Sequence, residues 1–324
     1  MPRTPAPLPH GLGDAFATKN ALARGATRRR LRARDLEAPF HGARRPRRTA
    51  PLHPADDEPF ARDRAQRDET IRRARAYAAV MPDGAFFAGR TALALRGLPV
   101  TTGPELEVAV FSPRRAPRGR GIRGRRIDPK LAHVELVEGL PTTTVASAWA
   151  MLGGELSVRE LIILGDAIVH VPRNRAGTLQ PERAFATIEQ LARAIDAGIR
   201  RGAPKLRAAL PRIRVGSASP VETEFRLDAE EAGFPAPLLD VEVFDARGRR
   251  IGITEVVFPD QKVAVEVEGD HHRSDPAQWE RDLEKYAAYA DAGIEPVRVS
   301  GKQVRRRTAV ERVRRALIRR GWKP

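Results

Sequence analysis

The stretch from Ser219 to Gly269 constrains the fold of this chain more than any other, because nearly every element boundary in it is marked. Ser219-Pro220-Val221-Glu222 places an N-cap serine, a proline at the first helical position and a glutamate at the third, the pattern of a capping box. That helix ends near Gly233, with Pro235 beyond it. Leu238–Phe244 alternates as a strand, Asp245-Ala246-Arg247-Gly248 reads as a hairpin turn, and Arg250–Val257 as the return strand. Phe258-Pro259-Asp260 is the next turn and Lys262–Glu268 the third strand. Asp275, Pro276 and Gln278 open another helix that runs to about Ala292 and stops at Gly293. Ile294–Val299 is a further strand, and Thr308 with Glu311 predicts a capping box for a last helix ending at Gly321. The order α-β-β-β-α-β-α over residues 205–324 predicts a mixed sheet flanked by helices.

The N-terminal half is read with less punctuation. Residues 1–15 are Pro-rich and predict a disordered arm. In Phe16–Arg45, Thr18 is placed to cap a helix ending at Gly25, and Thr27 a second, Arg28–Arg34, with Leu36–Ala43 as a small β-wing. Helix, glycine turn and basic helix is the outline of a helix-turn-helix, so Arg28, Arg29, Arg30 and Arg32 are candidate DNA contacts. The competing reading is a solvated basic helix. Residues 46–68 read as a linker, and residues 69–200 as a mixed α/β middle region. In that region Ile71–Val80 and Phe86–Arg96 have helical spacing, Leu106–Phe111 alternates as a strand, and Thr144–Leu152 and Val158–Val169 are helices. Arg114–Arg126 holds seven arginines and no acid, interrupted by Gly and Pro, and reads as a loop that either touches phosphate or is simply solvated. Asp166 and His170, four apart, read as a surface ion pair rather than a catalytic dyad. The fold class predicted for the whole chain is α/β, or α+β overall. It combines an N-terminal winged-helix-like unit, the mixed middle region, and the C-terminal mixed sheet.

Composition limits the partners. The 324 residues carry a net charge of +17, with 58 basic side chains of which 51 are arginine. A polyanion such as DNA suits that balance, although a coding bias toward arginine would contribute to it as well. Residues 1–50 alone hold 12 basic and 3 acidic side chains, so half the net charge sits in a sixth of the chain. With no cysteine, disulfides, thiolate zinc sites and cysteine nucleophiles are excluded. No apolar run reaches the roughly 18 residues of a membrane helix or the core of a signal peptide, so no membrane partner and a cytoplasmic location are expected.

The chemistry concentrates on the third strand. Successive strand side chains alternate faces, so Glu266 and Glu268 share one face, roughly 7 Å apart, while Val263, Val265 and Val267 enter a core on the other. Glu255, on the preceding antiparallel strand, is placed to reach the same face. Carboxylates that converge repel one another unless a proton or a cation resolves the repulsion. Mg²⁺, with oxygen ligands and retained waters, does so naturally, and it can activate a water toward a phosphodiester. His272, or His271, follows in the next loop and can handle a proton or bind phosphate. Glu255, Glu266, Glu268 and His272 are therefore the candidate catalytic residues, with Glu255 and Glu266 as candidate metal ligands. The plainer reading of Glu266 and Glu268 is a solvent-facing strand. That of Glu222 is a capping residue paired with Arg226 along its helix. That of Asp282 and Lys285 is an exposed pair three residues apart. Trp279, Tyr286 and Tyr289 read as core residues rather than base-stacking ones.

These residues also carry a resemblance. Gly252-Ile253-Thr254-Glu255-Val256-Val257-Phe258-Pro259, followed by Val263-Ala264-Val265-Glu266-Val267-Glu268-Gly269-Asp270-His271-His272-Arg273, resembles the PD-(D/E)XK nuclease superfamily, in its very-short-patch-repair (Vsr-like) endonuclease branch. Ser219-Pro220-Val221-Glu222 with Arg226, and Asp282 with Lys285, look like that branch's flanking helix signatures. The resemblance covers about 105 residues. It implies a restriction-endonuclease-like domain, metal-dependent hydrolysis of DNA with Mg²⁺, and supporting roles for Glu222, Asp282 and Lys285. The sequence departs from that pattern at Glu255 and Glu268, where the family carries Asp. The longer side chains would shift the carboxylates by over ~1 Å at an octahedral site. In the N-terminal half, Phe16-Ala17-Thr18, Ala21, Gly25, Arg30-Leu31 and Phe40-His41-Gly42 are similar to winged-helix units of AbiEi-type antitoxins, and Gly97-Leu98-Pro99, Gly139-Leu140-Pro141-Thr142-Thr143 and Asp166 to the middle portions of those chains. That likeness implies DNA binding and a toxin or defence-system partner. Two functions therefore stand as expectations: a metal-dependent DNA endonuclease, or a catalytically degenerate DNA-binding regulator of the antitoxin type.

Overall fold

The computed structural model describes residues 5–47, 61–268 and 276–324, with backbone alone at 61–63 and 276–283. Gly269, Asp270, His271, His272 and Arg273 lie outside the described residues, as do most of the linker and the first four residues of the arm; for Trp279 and Asp282 the side chains do. The chain forms two units, one of residues 1–154 and 193–203, the other of 155–192 and 204–324. Both are mixed α/β.

The first unit holds two sheets. β1 (Phe16–Ala17), β2 (Leu36–Glu37) and β3 (Ala43–Pro46) form a small one in the order β1-β3-β2, beside helix α1 (Thr18–Ala23). The expected second helix, Arg28–Arg34, is not present: only a 3₁₀ turn, Arg30–Arg32, forms there. Leu31 is the one large apolar residue in that stretch and it is buried, so a longer helix would have no second anchor on the core. The helix-turn-helix outline is thereby replaced by a helix, a turn and a three-stranded wing. Thr18 does not cap α1; Ala17 precedes the helix without a side-chain cap.

α2 (Ala61–Ala78) starts within the segment read as a linker. The second sheet follows, built from β4 (Ala85–Phe87), β5 (Leu106–Phe111), β6 (Ile122–Ile127), β7 (Val134–Val137) and β8 (Leu140–Thr143) in the order β6-β5-β4-β8-β7. Helix α3 (Gly89–Leu95) follows β4 directly, so the run Phe86–Arg96 is a strand and a helix rather than one helix. The break is at Gly89, whose φ is +50° and where a Cβ would come within 2.0 Å of the Glu107 carboxylate. The arginine-rich stretch read as a loop ends in β6, paired in parallel with β5 from Leu106↔Ile122 to Phe111↔Ile127. α4 (Val145–Met151) begins at Thr144, whose hydroxyl accepts from the Ser147 N–H.

The second unit opens with α5 (Val158–Val169), capped by a Ser157–Glu160 capping box. α6 (Ile188–Asp196), which spans the division between the units, and α7 (Ala203–Ala209) lead to α8 (Pro220–Glu231), which Ser219 caps as expected. β9 (Leu238–Phe244), β10 (Arg250–Phe258), β11 (Val263–Glu268) and β12 (Glu295–Ser300) form a sheet in the order β12-β11-β10-β9, with α9 (Pro276–Asp291) between β11 and β12. β10 runs antiparallel to both of its neighbours, β9 and β11, and β12 runs parallel to β11 because a helix intervenes. α10 (Gly301–Arg305) and α11 (Thr308–Arg319) close the chain. The capping box lies at Ser300 and Gln303, on α10, not at Thr308; α11 begins after Arg307, which adopts a left-handed φ of +59°.

Two faces of this sheet are buried in different ways. Val263, Val265 and Val267 join Val256, Phe258 and residues of α8 and α11 in an apolar core. Ala264 on the other face packs with Val243 and Tyr289 of α9. α5 is fastened to α8 by charge. Asp166 is fully buried and accepts from the Arg226 guanidinium at 2.7 Å, the Thr223 hydroxyl at 3.0 Å and the Arg214 N–H at 2.8 Å. The expected surface pair of Asp166 with His170 is therefore a buried bridge to another helix. Arg226 spends its charge there instead of on Glu222. Burial pushes the Asp166 carboxyl up, against the lowering pull of Arg226 and its hydrogen bonds.

Removing one partner of such a pair strands the other in the interior. Asp166→Ala is expected to destabilise the second unit by about 3–5 kcal/mol in urea denaturation, whereas the paired apolar replacement Asp166→Leu with Arg226→Met costs less than the single change. Equal losses for the two proteins would show that the bridge does not tie α5 to α8.

Candidate functional site: a buried carboxylate pair on the second sheet

Three strands meet at one rung. The β10–β11 ladder runs from Phe258↔Val263 to Val256↔Val265, which puts Glu255 and Glu266 one position further on, facing each other. On the other side of β10, Thr254↔Val241 and Val256↔Leu239 place Glu255 level with Asp240. Glu266 is 8% exposed, and its carboxyl is hydrogen-bonded to that of Glu255. Two carboxyl groups in hydrogen-bond contact need a proton between them. Glu255 keeps it: burial, then the Glu266 charge and hydrogen bond, then Glu222, push its pKa up to about 9. Its second oxygen, Oε2, is buried without a hydrogen-bond partner among the described residues.

Lys285, from α9, supplies the counter-charge. Its ammonium lies 2.7 Å from Glu266 Oε1 and donates to the Ile253 carbonyl at 2.7 Å. Burial works against its charge, but Glu266 outweighs that and the lysine pKa is raised. The Tyr289 hydroxyl, hydrogen-bonded to Thr254, reaches Glu266 Oε1 at 3.4 Å, and Lys285 Nζ stands 5.6 Å from the centre of the Tyr289 ring. Of the two readings of Lys285, an exposed helix pair or a residue supporting the site, the structure has the lysine turned inward to Glu266. Tyr289 is fully buried, as expected of a core residue.

Glu222 borders this pair. It is buried, accepting from the Ala218 N–H at 2.7 Å and the Ser219 hydroxyl at 2.8 Å. Burial raises its pKa while those donors lower it. Its capping role is real, and its charge is also felt at Glu255. Glu268 does not converge with the others. It pairs with Arg298, whose guanidinium also covers the Tyr286 ring at 5.1 Å. The parallel register explains this, since Arg298 stands beside Glu266 and two residues, hence on the same face, from Ser300, the partner of Glu268.

Sequence reasoning missed a second polar group beside the pair. Asp240 sits within β9 at a left-handed φ of +51°. Arg173 holds it, with Nε at 3.0 and 2.8 Å from the two carboxylate oxygens and Nη2 at 2.8 Å from the backbone carbonyl. Asp240 in turn raises the pKa of Glu222 and pulls up that of His170, which burial lowers. His170 Nδ1 is buried and lacks a partner among the described residues. The alternation of Leu238–Phe244 marks a strand without singling out Asp240, and nothing local ties it to residues 170 and 173.

Among the described residues no cluster of three or more His, Asp and Glu forms a ready-made metal cage. The donor set nonetheless suits a hard cation of the Mg²⁺ kind, which is commonly held by one or two carboxylates with its other positions left to water and phosphate. Glu255 and Glu266 are those two, and the orphaned Oε2 of Glu255 is the oxygen without another role. A cation there would replace the shared proton. Comparison of the chain with protein-family models, with curated proteins and with solved structures finds no match.

The raised pKa of Glu255 has a definite sign in stability. An isolated glutamate loses its proton near 4.5, whereas the folded one holds it to about 9. Between those values the folded state binds the extra proton, so stability falls as pH rises. The thermal midpoint of the metal-free protein, measured from pH 5 to 9, is expected to fall more steeply than that of Glu255→Gln, with the two curves converging at the acid end. Parallel curves would mean that the pair is not protonated.

Proposed function

We propose that the second unit is a metal-dependent phosphodiesterase acting on DNA, of the endonuclease type that its sequence resembles. The observation that carries this reading is the buried Glu255–Glu266 pair with an unsatisfied oxygen beside a lysine. Like charges are costly to bury, and a fold that only needed a core would fill the rung with apolar residues. Mg²⁺ bound by the two carboxylates would supply positive charge for the phosphate and activate the attacking water. Lys285 orients Glu266 and brings a second positive charge to the scissile group. Glu222 and Asp240 deepen the negative potential that attracts a cation, and Arg173 holds Asp240 in place.

A second reading, the non-catalytic DNA-binding regulator with a toxin or defence-system partner, has one observation in its favour. Lys285 already satisfies Glu266, as a relic site without metal would require. DNA would then be held by the first unit. There Arg28, Arg29 and Arg32 are exposed, but Arg30 is not available: its guanidinium is spent on Asp35 through hydrogen bonds of 3.0 and 2.7 Å.

Purified protein is expected to nick supercoiled DNA with Mg²⁺ or Mn²⁺ and not in EDTA. Glu255→Gln or Glu266→Gln should slow nicking by at least about a hundredfold, the loss of ~3 kcal/mol of transition-state stabilisation. Absence of cleavage with either metal overturns the enzyme. The regulator is then tested by DNA binding that falls steeply with salt and is abolished by charge reversal at Arg28, Arg29 and Arg32.

A further inference from the structure

A cavity of about 670 Å³ opens in the first unit, far in sequence from the carboxylate pair. It lies between the turn that precedes β3, the end of α2, and the residues just before β6. Phe40, Tyr77 and Val80 form an apolar floor, while His41, Arg118 and Arg120 stand at the rim. All three rim residues are exposed, and neither arginine makes an ion pair or hydrogen bond among the described residues. No acidic side chain lines the cavity. Arg44 also lines it, but its guanidinium is occupied by the Leu31 and Ala43 carbonyls at 2.8 and 2.7 Å, so anion binding falls to the rim.

The floor carries one polar group. Tyr77 is 7% exposed, its ring is wedged edge-on against Phe40 at 5.1 Å, and its hydroxyl has no protein partner among the described residues. Burial raises its pKa, so the hydroxyl remains a donor at neutral pH. The ring is packed away but the hydroxyl stays accessible to the cavity, where it can donate to water or to a ligand. The volume falls within the range of small-ligand sites, and two arginine forks beside an apolar floor select an anion that also has a flat, weakly polar body. A bare anion would use the rim alone. An apolar metabolite would leave both arginines idle.

The geometry points to a nucleotide site: phosphate on Arg118 and Arg120, the base against Phe40 and Val80, and the Tyr77 hydroxyl donating to the base or sugar. The ligand is either a free nucleotide or one nucleotide of a strand. This assigns a role to the arginine run before β6 that the carboxylate site does not use. It does not rest on the proposed nuclease, whose residues all lie in the other unit.

The test is calorimetric titration of the full chain in EDTA at physiological salt. The probes are the four deoxynucleoside 5′-monophosphates, a 5′-phosphorylated single strand of twelve thymidines, and inorganic phosphate. The nucleotides, the strand or both are expected to bind at least about tenfold more tightly than inorganic phosphate, the worth of the base and hydroxyl contacts. Arg118→Ala with Arg120→Ala should weaken that binding by about tenfold or more, and Tyr77→Phe by about threefold. The control Arg312→Ala with Arg315→Ala removes the same charge from the exposed face of α11 and should weaken it by less than about twofold. Saturation by monophosphates identifies a free nucleotide, and binding of the strand alone identifies a nucleotide within a nucleic acid. The proposal is overturned if inorganic phosphate binds as well as both nucleotide probes, or if the control pair weakens binding as much as the rim pair. Tyr77→Phe with wild-type affinity would overturn the part given to the hydroxyl. With metal absent, none of these outcomes depends on whether the second unit cuts DNA.

Discussion

An ionised carboxylate cannot sit in a protein interior alone, and the second unit is arranged around that rule. Asp166 is met by Arg226, Asp228 by Arg159 at 2.6 Å and Arg307 at 2.9 Å, Asp240 by Arg173, and Glu266 by Lys285. Glu222 is satisfied by a serine hydroxyl and a backbone N–H. Apart from the local contacts of Glu222, each joins segments distant in sequence, and together they bind α5 and the segment after it to α8 and the sheet. Glu255 is the exception. No ion pair forms on it among the described residues, Lys285 being closed on Glu266, one of its oxygens has no partner there, and burial keeps it protonated. The exception marks the place where something other than folding sets the residue.

The same rule corrects the meaning of the net charge. A value of +17 suggests a broadly basic surface, but many arginines are consumed internally. Arg226 is 6% exposed on Asp166, Arg45 is buried between Glu37 and Glu69, and Arg30 is closed on Asp35. Exposed arginines of the first unit include Arg28, Arg29, Arg32 and Arg34 around the 3₁₀ turn, and Arg118 and Arg120 beside the cavity. Where charge is left over matters more for partners than its sum.

What was legible in the sequence follows the range of each interaction. Ser219 and Glu222, the hairpin turn after Phe244 and the limits of β9 and α5 were readable because caps, turns and alternation act within a few residues. The alternation of β11 also separated Val263, Val265 and Val267 from Glu266 correctly. Arg28–Arg34 was misread because helical propensity and a cap do not hold a helix that has only Leu31 to bury. The break at Gly89 was missed because its cause is Glu107, eighteen residues on. For Lys285 the residues alone left an exposed pair and a supporting role open, since only the packing of α9 on the sheet reveals Glu266 beneath it. Asp240, Arg173 and His170 were invisible as a group for the same reason.

Geometry also changes how the two glutamates should be weighed where the resembled nuclease family carries aspartate. Side chains directly opposite on neighbouring antiparallel strands have Cβ atoms about 4.5–5.5 Å apart. Two glutamates on such a rung can meet end to end above the sheet, which is what Glu255 and Glu266 do. An aspartate at 255 would hold its carboxylate nearer the backbone and shorten that reach. The extra methylene at 255 is thus matched to a partner across the strand, and Lys285 closes on the far side of the same partner. At 268 no such match exists, because the carboxylate has turned to Arg298. The two departures are therefore not equivalent. The one at 255 builds the pair on which the proposed chemistry rests, and the one at 268 has left the site for a contact with the neighbouring strand.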